Sequence, residues 1–327
     1  MLKYLVIFTS ALISSMLCTF LLARFSLKHK ILKAGNIPLV GGLGIGLAFI
    51  FSSSLAVFAF GFSPIKVLTV TVACALVLFF GIVDDLKELS VAQKFLVQSF
   101  CAILLILSGI RTDIVYVGFW GNAVITFFWI LGVTNAFNLL DIMDGLAAGT
   151  ALIVGSAFLL IGFLSADLNV QFFSLILCAS SAGFLIFNLP PAKVYLGNSG
   201  SHFLGMFISC IALITHYASG ANFFALISPV IILGLPIMDT ILLIIFRAIK
   251  RRPPFKKSND HIALKIGSLG FPKAQTILTM YLLSSVFAGC GVILTRVSNL
   301  YAAGIIIAIF LFNTGIFLRL VKIEANA

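Results

Sequence analysis

N-A-F-N-L-L-D-I-M-D-G-L-A-A-G, residues 135–149, puts two carboxylates where apolar residues would be expected. Hydrophobic runs lie on both sides, at residues 124–133 and 150–164, so the acids stand at the mouth between two candidate membrane helices. Asp141 and Asp144 are three apart, and Asn138 is three before Asp141. If the stretch is helical, the three share one face. Two acids and an amide on one stripe suit a hydrated cation or a polar substrate, and Gly145 and Gly149 allow close backbone approach. The competing reading is a polar loop between helices, with Asn and Asp capping their ends.

Working outward, the whole chain has the character of those flanking runs. Of 327 residues, 61% are hydrophobic and 9% charged, whereas a soluble domain carries roughly 25% charged residues. The chain therefore reads as an all-α, polytopic integral membrane protein, folded as one multi-helix domain over residues 1–327. Windows of about 20 apolar residues fall at 3–23, 42–62, 65–82, 92–110, 119–136, 146–165, 170–188, 202–217, 222–246, 275–294 and 299–318. That predicts about 11 transmembrane helices, or ten if a short window is dropped. Lysine and arginine set the orientation. With the N-terminus outside, 17 of the 21 fall on the cytoplasmic side, and the C-terminus is cytoplasmic too. The net charge of +11 then reports topology, and no nucleic-acid partner is expected. Six cysteines sit in apolar runs without metal or disulfide spacing and read as small buried hydrophobes.

This orientation puts four polar segments on one membrane face. The first carries Asp84-Asp85, with Lys94 and Gln98 one turn apart on the next helix. Adjacent aspartates on a helix diverge by about 100°, so one can meet a metal while the other meets a substrate or a base. The second is the opening stretch. The third is N-L-P-P-A-K-V-Y-L-G-N-S-G-S-H, residues 188–202, where prolines end a helix and a glycine- and serine-rich turn opens the next. Free N–H groups at such a turn favour phosphate; Tyr195 can stack on a base and Asn188 can bond its edge. The fourth, residues 247–273, holds Arg247, Lys250, Arg251, Arg252, Lys256, Lys257, Asp260 and His261. Asp239 lies within the ninth apolar run and should face protein or water; Pro236 should kink that helix. Clustering at one face favours an interfacial enzyme over a transporter, which would place its polar groups near the midplane.

Taken together and in order, these motifs resemble the polyprenyl-phosphate N-acetylhexosamine-1-phosphate transferase family, of the glycosyltransferase family 4 type, and its glycan-initiating branch in particular. The similarity runs from about His29 to Gly270. It implies transfer of a sugar 1-phosphate from a UDP-sugar to polyprenyl (undecaprenyl) phosphate at the cytoplasmic face of the inner membrane, with release of UMP. It implies Mg2+, with Mn2+ as a substitute, held by Asp85, Asp141, Asp144 and Asn198. Asp84, Asp85, Asp141, Asp144 and His261 would be catalytic. Lys94, Asn138, Asn188, Tyr195, Gly197, Ser201 and Arg251 would bind substrate. The bilayer is a partner, and a homodimer is compatible with the sequence.

Two departures stand out. The family usually has Asp where this chain has Asn198, and further histidines where Ile262, Ala263 and Leu264 follow His261. A catalytically degenerate member that binds nucleotide or lipid therefore stays open as an alternative, and an ion or lipid transporter as a more distant one.

Overall fold

A computed structural model describes residues 1–62, 64–217, 223–251, 259–321 and 323. It is helical throughout apart from one short hairpin, and it divides into two compact units, Met1–Thr215 and His216–Ala327.

The first unit holds eight helices: α1 (Leu2–His29), α2 (Gly41–Phe60), α3 (Pro64–Leu86), α4 (Val91–Leu107), α5 (Gly118–Leu140), α6 (Leu146–Leu164), α7 (Leu168–Asn188) and α8 (Gly197–Ile214). Each covers one of the apolar windows. The reason is hydrocarbon solvent: with no water to bond, a spanning backbone must satisfy its own N–H and C=O groups. Among the long apolar helices of this unit, α7 is the most enclosed by protein and α1 the least. Helix α8 packs on α3 and α5, while α7 packs on α1 and α6. Phenylalanines fill the middle, with Phe49 of α2 in ring contact with Phe173 of α7 and Phe203 and Phe207 of α8.

Local signals set the helix ends. Ser90 and Gln93 form a reciprocal capping box that starts α4. Asp167 accepts the N–H groups of Asn169 and Val170 at the start of α7. At its other end, Leu189 is extended, as the residue before a proline must be. After α1, Lys33–Ala34 pairs antiparallel with Ile37–Pro38. The hairpin is stitched to the segment before α8: Tyr195 N–H donates to Pro38 O, and the N–H groups of Gly41 and Gly42 donate to the carbonyls of Tyr195 and Leu196.

The second unit holds a broken helix, α9 (Ser228–Ile232) and α10 (Gly234–Ile249), then α11 (Ile262–Ser268), α12 (Lys273–Leu294) and α13 (Asn299–Leu320). The bend between Phe223–Ile232 and Gly234–Ile249 is 73°. It lies at Leu233, three residues before Pro236. The proline itself sits in the first turn of α10, where its missing N–H costs nothing. Among the described residues, nine helices are long and apolar enough to cross a membrane, or ten if the bent pair is one span. The remaining window is α4, apolar but only 17 residues long. The chain is a multi-pass membrane protein.

Candidate active site

Three of the four polar segments meet in the first unit, at the ends of α3, α5 and α7 and the start of α8. The adjacent aspartates that close α3 part as their helical positions require. Asp84 is buried. Its Oδ1 accepts the Leu89 N–H at 2.7 Å, and its Oδ2 pairs with Lys94 Nζ at 2.6 Å. Asp85 turns to α8, where its two oxygens accept the N–H groups of Asn198 and Ser199 at 2.7 and 3.0 Å.

That contact changes the reading of the glycine- and serine-rich turn. Residues 197–201 are the first turn of α8, and the N–H groups of Asn198 and Ser199, expected to meet a phosphate, are held by a carboxylate of the chain itself. A negative charge at a helix N-terminus is stabilising for the reason a phosphate would be. Gly197 makes the contact feasible. Its φ is +77°, and a Cβ there would come within 2.7 Å of Asp85 Oδ2. Asn138 Nδ2, from α5, donates to Ser201 Oγ at 2.9 Å and to Asn198 Oδ1 at 3.2 Å. Asn138, Asn198 and Ser201 thus form one connected polar patch.

Asp141 and Asp144 do not share a helical stripe. Helix α5 stops at Leu140, Asp141 occupies its C-cap with ψ of 60°, and Gly145 (φ +79°) turns the chain into α6. Both acids are therefore on a five-residue turn, which is the interhelical-loop alternative. Asp144 Oδ2 accepts the Ala192 N–H at 3.1 Å. Burial, together with the nearby charges of Asp85 and Asp144, pushes the Asp141 carboxyl up to about 7. Asn188 braces this turn: its Oδ1 accepts the Gly145 N–H and its Nδ2 donates to Val194 O, both at 2.9 Å. With both ends of the amide taken by backbone, Asn188 holds the loops rather than presenting a free edge to a base. Tyr195 is half-buried, with its backbone fixed by the hairpin.

Among the described residues, no three of the His, Cys, Asp and Glu side chains are grouped so as to hold a metal ion by themselves. What the acids offer instead is surplus negative charge: Asp141 has Asp85 and Asp144 for neighbours, and among the described residues neither is paired to a cation. Such a set suits an ion held through one or two carboxylates, with waters or phosphate oxygens supplying the rest.

In the second unit, Asp239 faces protein as expected of a carboxylate within a span. Its Oδ2 lies 2.8 Å from His261 Nδ1 and its Oδ1 accepts the Ile262 N–H at 2.8 Å. This fixes the imidazole at the start of α11, a brace that sequence separation concealed. Lys250 Nζ pairs with Asp260 Oδ1 at 2.6 Å. Arg251 is exposed with φ +52° at the end of α10. Arg252, Lys256 and Lys257, counted with the basic cluster, lie outside the described residues.

From sequence, His202 follows the glycine- and serine-rich turn in a supporting place, and Gln98 points with Lys94 into one cytoplasmic mouth. Both line a pocket beside the Asp84–Lys94 pair. Their spacing along the chain carried no signal, because the pocket is assembled from α3, α4 and α8.

The comparisons with known proteins agree with the motifs. The pattern described as glycosyl transferase family 4 matches residues 67–216. The chain is 33% identical over 255 residues to the probable undecaprenyl-phosphate N-acetylglucosaminyl 1-phosphate transferase of Bacillus subtilis (strain 168), covering 76% of this chain and 71% of that protein. It is 29% identical over 247 residues to the decaprenyl-phosphate N-acetylglucosaminephosphotransferase of Mycolicibacterium smegmatis, covering 67% and 61%. It is 31% identical over 178 residues to the phospho-N-acetylmuramoyl-pentapeptide-transferase of Listeria welshimeri, covering 53% of each. With its acidic and glycine-rich segments joined in one cluster and a third of the aligned residues identical across most of the Bacillus protein, this chain belongs to glycosyl transferase family 4, the polyprenyl-phosphate N-acetylhexosamine-1-phosphate transferases.

Proposed function

We propose that the protein transfers an N-acetylhexosamine 1-phosphate from a UDP-sugar to polyprenyl phosphate, undecaprenyl phosphate in particular, releasing UMP and initiating synthesis of a cell-envelope glycan. The reaction would run at the cytoplasmic face of the inner membrane, the side to which the lysine and arginine distribution assigns the polar segments. An oxygen of the lipid phosphate attacks the sugar-bearing phosphorus, and the bond from that phosphorus to UMP breaks. One phosphoanhydride replaces another, so positioning and charge neutralisation carry the catalysis.

The observation that supports this reading best is the union of Asp84–Lys94, Asp85–Asn198 and the Asp141/Asp144 turn around one mouth of the first unit. Lys94 supplies a cation for phosphate, positioned by Asp84. Asn138, Ser201 and the Gly197 turn line the nucleotide side, with Tyr195 available to stack on uracil. Asp85, Asp141, Asp144 and the Asn198 amide oxygen fit magnesium, or manganese, through their surplus charge. When bound, that ion would neutralise charge on the diphosphate and on departing UMP. In the second unit, His261 braced by Asp239 is assigned to phosphate or sugar, and Arg251 to phosphate.

Purified protein supplied with UDP-N-acetylglucosamine, undecaprenyl phosphate and magnesium should release UMP, and omission of either the lipid or the metal should stop it. Tight UDP-sugar binding with no UMP from any UDP-N-acetylhexosamine would select the degenerate reading, which Asn198 motivates.

A further inference from the structure

A small pocket lies beside the Asp84–Lys94 pair. Val77, Phe80, Leu89 and Val97 make much of its wall apolar. Against that wall stand two polar side chains with unmet bonding capacity. His202 is 5% exposed and Gln98 2% exposed. The Nε2 atoms of both are buried without a hydrogen-bond partner.

Their partners on the other side define what each has left to offer. His202 Nδ1 lies 2.8 Å from the Asn198 backbone carbonyl. A carbonyl oxygen only accepts, so Nδ1 carries the proton and Nε2 of the neutral ring presents a lone pair. Gln98 Oε1 accepts from Asn135 Nδ2 at 2.6 Å, which orients its amide so that Nε2 presents N–H. Lys94 adds a cation that is 23% exposed. The pocket therefore combines one acceptor, one neutral donor and the Lys94–Asp84 ion pair with a hydrocarbon wall. Leaving a buried polar group unbonded is costly, so two together point to a ligand that satisfies both.

We propose that His202 and Gln98 recognise the phosphate of the lipid acceptor. The complementary ligand is a phosphate monoester carrying one proton and an apolar alcohol. Its P–OH donates to His202 Nε2, its P–O− oxygens accept from Gln98 and Lys94, and the first isoprenyl carbons lie on Phe80 and Val97. Asp84, with both oxygens bonded to Lys94 and Leu89, then acts by orienting Lys94. This assignment rests on polyprenyl phosphate being the acceptor. A nucleotide would set its ribose hydroxyls against the apolar wall, and inorganic phosphate would leave that wall unused.

The test uses the full chain in detergent, with farnesyl phosphate as a short-chain probe beside inorganic phosphate and UMP. Farnesyl phosphate should raise the Tm of the parent protein, and the shift should vanish in His202→Phe and in Gln98→Glu, which keeps the acceptor for Asn135 but replaces the donor with a carboxylate. KM for polyprenyl phosphate should rise about tenfold or more in both variants while KM for the UDP-sugar holds. His202→Gln, whose carbonyl oxygen can stand near the lost Nε2, should recover part of the loss. If His202→Phe does not fold, Gln98→Glu carries the test. Equal farnesyl phosphate shifts in parent and variants overturn the inference, as does a loss of UMP binding with farnesyl phosphate unaffected. No farnesyl phosphate shift and no turnover of lipid phosphate in the parent protein would instead overturn the proposed function.

Discussion

Asp85 ends one membrane helix and caps another, and this double duty shapes the electrostatics around it. Its oxygens hold the N–H groups of Asn198 and Ser199 in the first turn of α8, which fixes the carboxylate beside Asp141. The Asp141 carboxyl is pushed up to about 7 by burial first, then by Asp85 and Asp144. Its folded-state value lies above the unfolded one, so the folded state binds the extra proton between about 4 and 7, and stability falls as pH rises through that window. In metal-free buffer the Tm should drop from pH 5 to pH 8, and magnesium added at pH 8 should restore it. Asp141→Asn should flatten both responses; a pH-independent Tm in the parent protein counts against this account. Asn198 gives a second prediction. An acid in its place keeps the acceptor for Asn138 and adds a negative charge next to Asp85, so Asn198→Asp should lower the magnesium concentration for half-maximal activity several-fold. An unchanged requirement would remove Asn198 from the metal's surroundings.

At the scale of elements, α2, α3 and α8 approach through backbone contact. A Cβ on Gly42 would lie 2.1 Å from the Gly200 nitrogen, and one on Gly81 would lie 2.4 Å from the Ser199 Cα. Close approach of backbones through small residues is how membrane helices gain packing without a hydrophobic drive between them. It also brings Asp85 within reach of α8. Gly42→Val should cost roughly 3 kcal/mol from overpacking against backbone that cannot yield. That would read out as a lowered Tm, with UMP release falling in parallel through displacement of α8; unchanged stability would show that the helices have room to separate. The helices themselves were legible. The capping box of α4 and the proline stop of α7 are written as Ser90-x-x-Gln93 and Pro190-Pro191. The end of α5 was harder. Nothing in N-A-F-N-L-L-D-I-M-D-G distinguishes a helix running through Asp144 from one stopping at Leu140, since Gly145 can serve either. The break at Leu233 was legible from Pro236, which has no N–H for the carbonyl four residues back and so bends the run there.

Across the whole molecule, the excess of Lys and Arg between alternate spans predicts one sidedness. Lys87, next to the Asp84–Asp85 pair, should lie in the cytoplasm and Arg111 outside. Cysteines introduced there by Lys87→Cys and Arg111→Cys, on a background lacking the native six, should react with an impermeant maleimide from opposite faces of the membrane. Labelling of both from one face would undo the assignment. Composition alone determined that this is a bundle of membrane helices, because hydrocarbon allows few other solutions. The ordered motifs alone determined the family, because each carries several residues at fixed spacing. Only tertiary structure decided what each polar side chain has left to bond. Asp85 gives one lone pair of each oxygen to a helix N-terminus and Asn188 is spent on two loops, while His202 and Gln98 kept an unmet nitrogen each. Those balances depend on partners contributed by separate helices, and linear spacing does not record which of a side chain's atoms a neighbour has already taken.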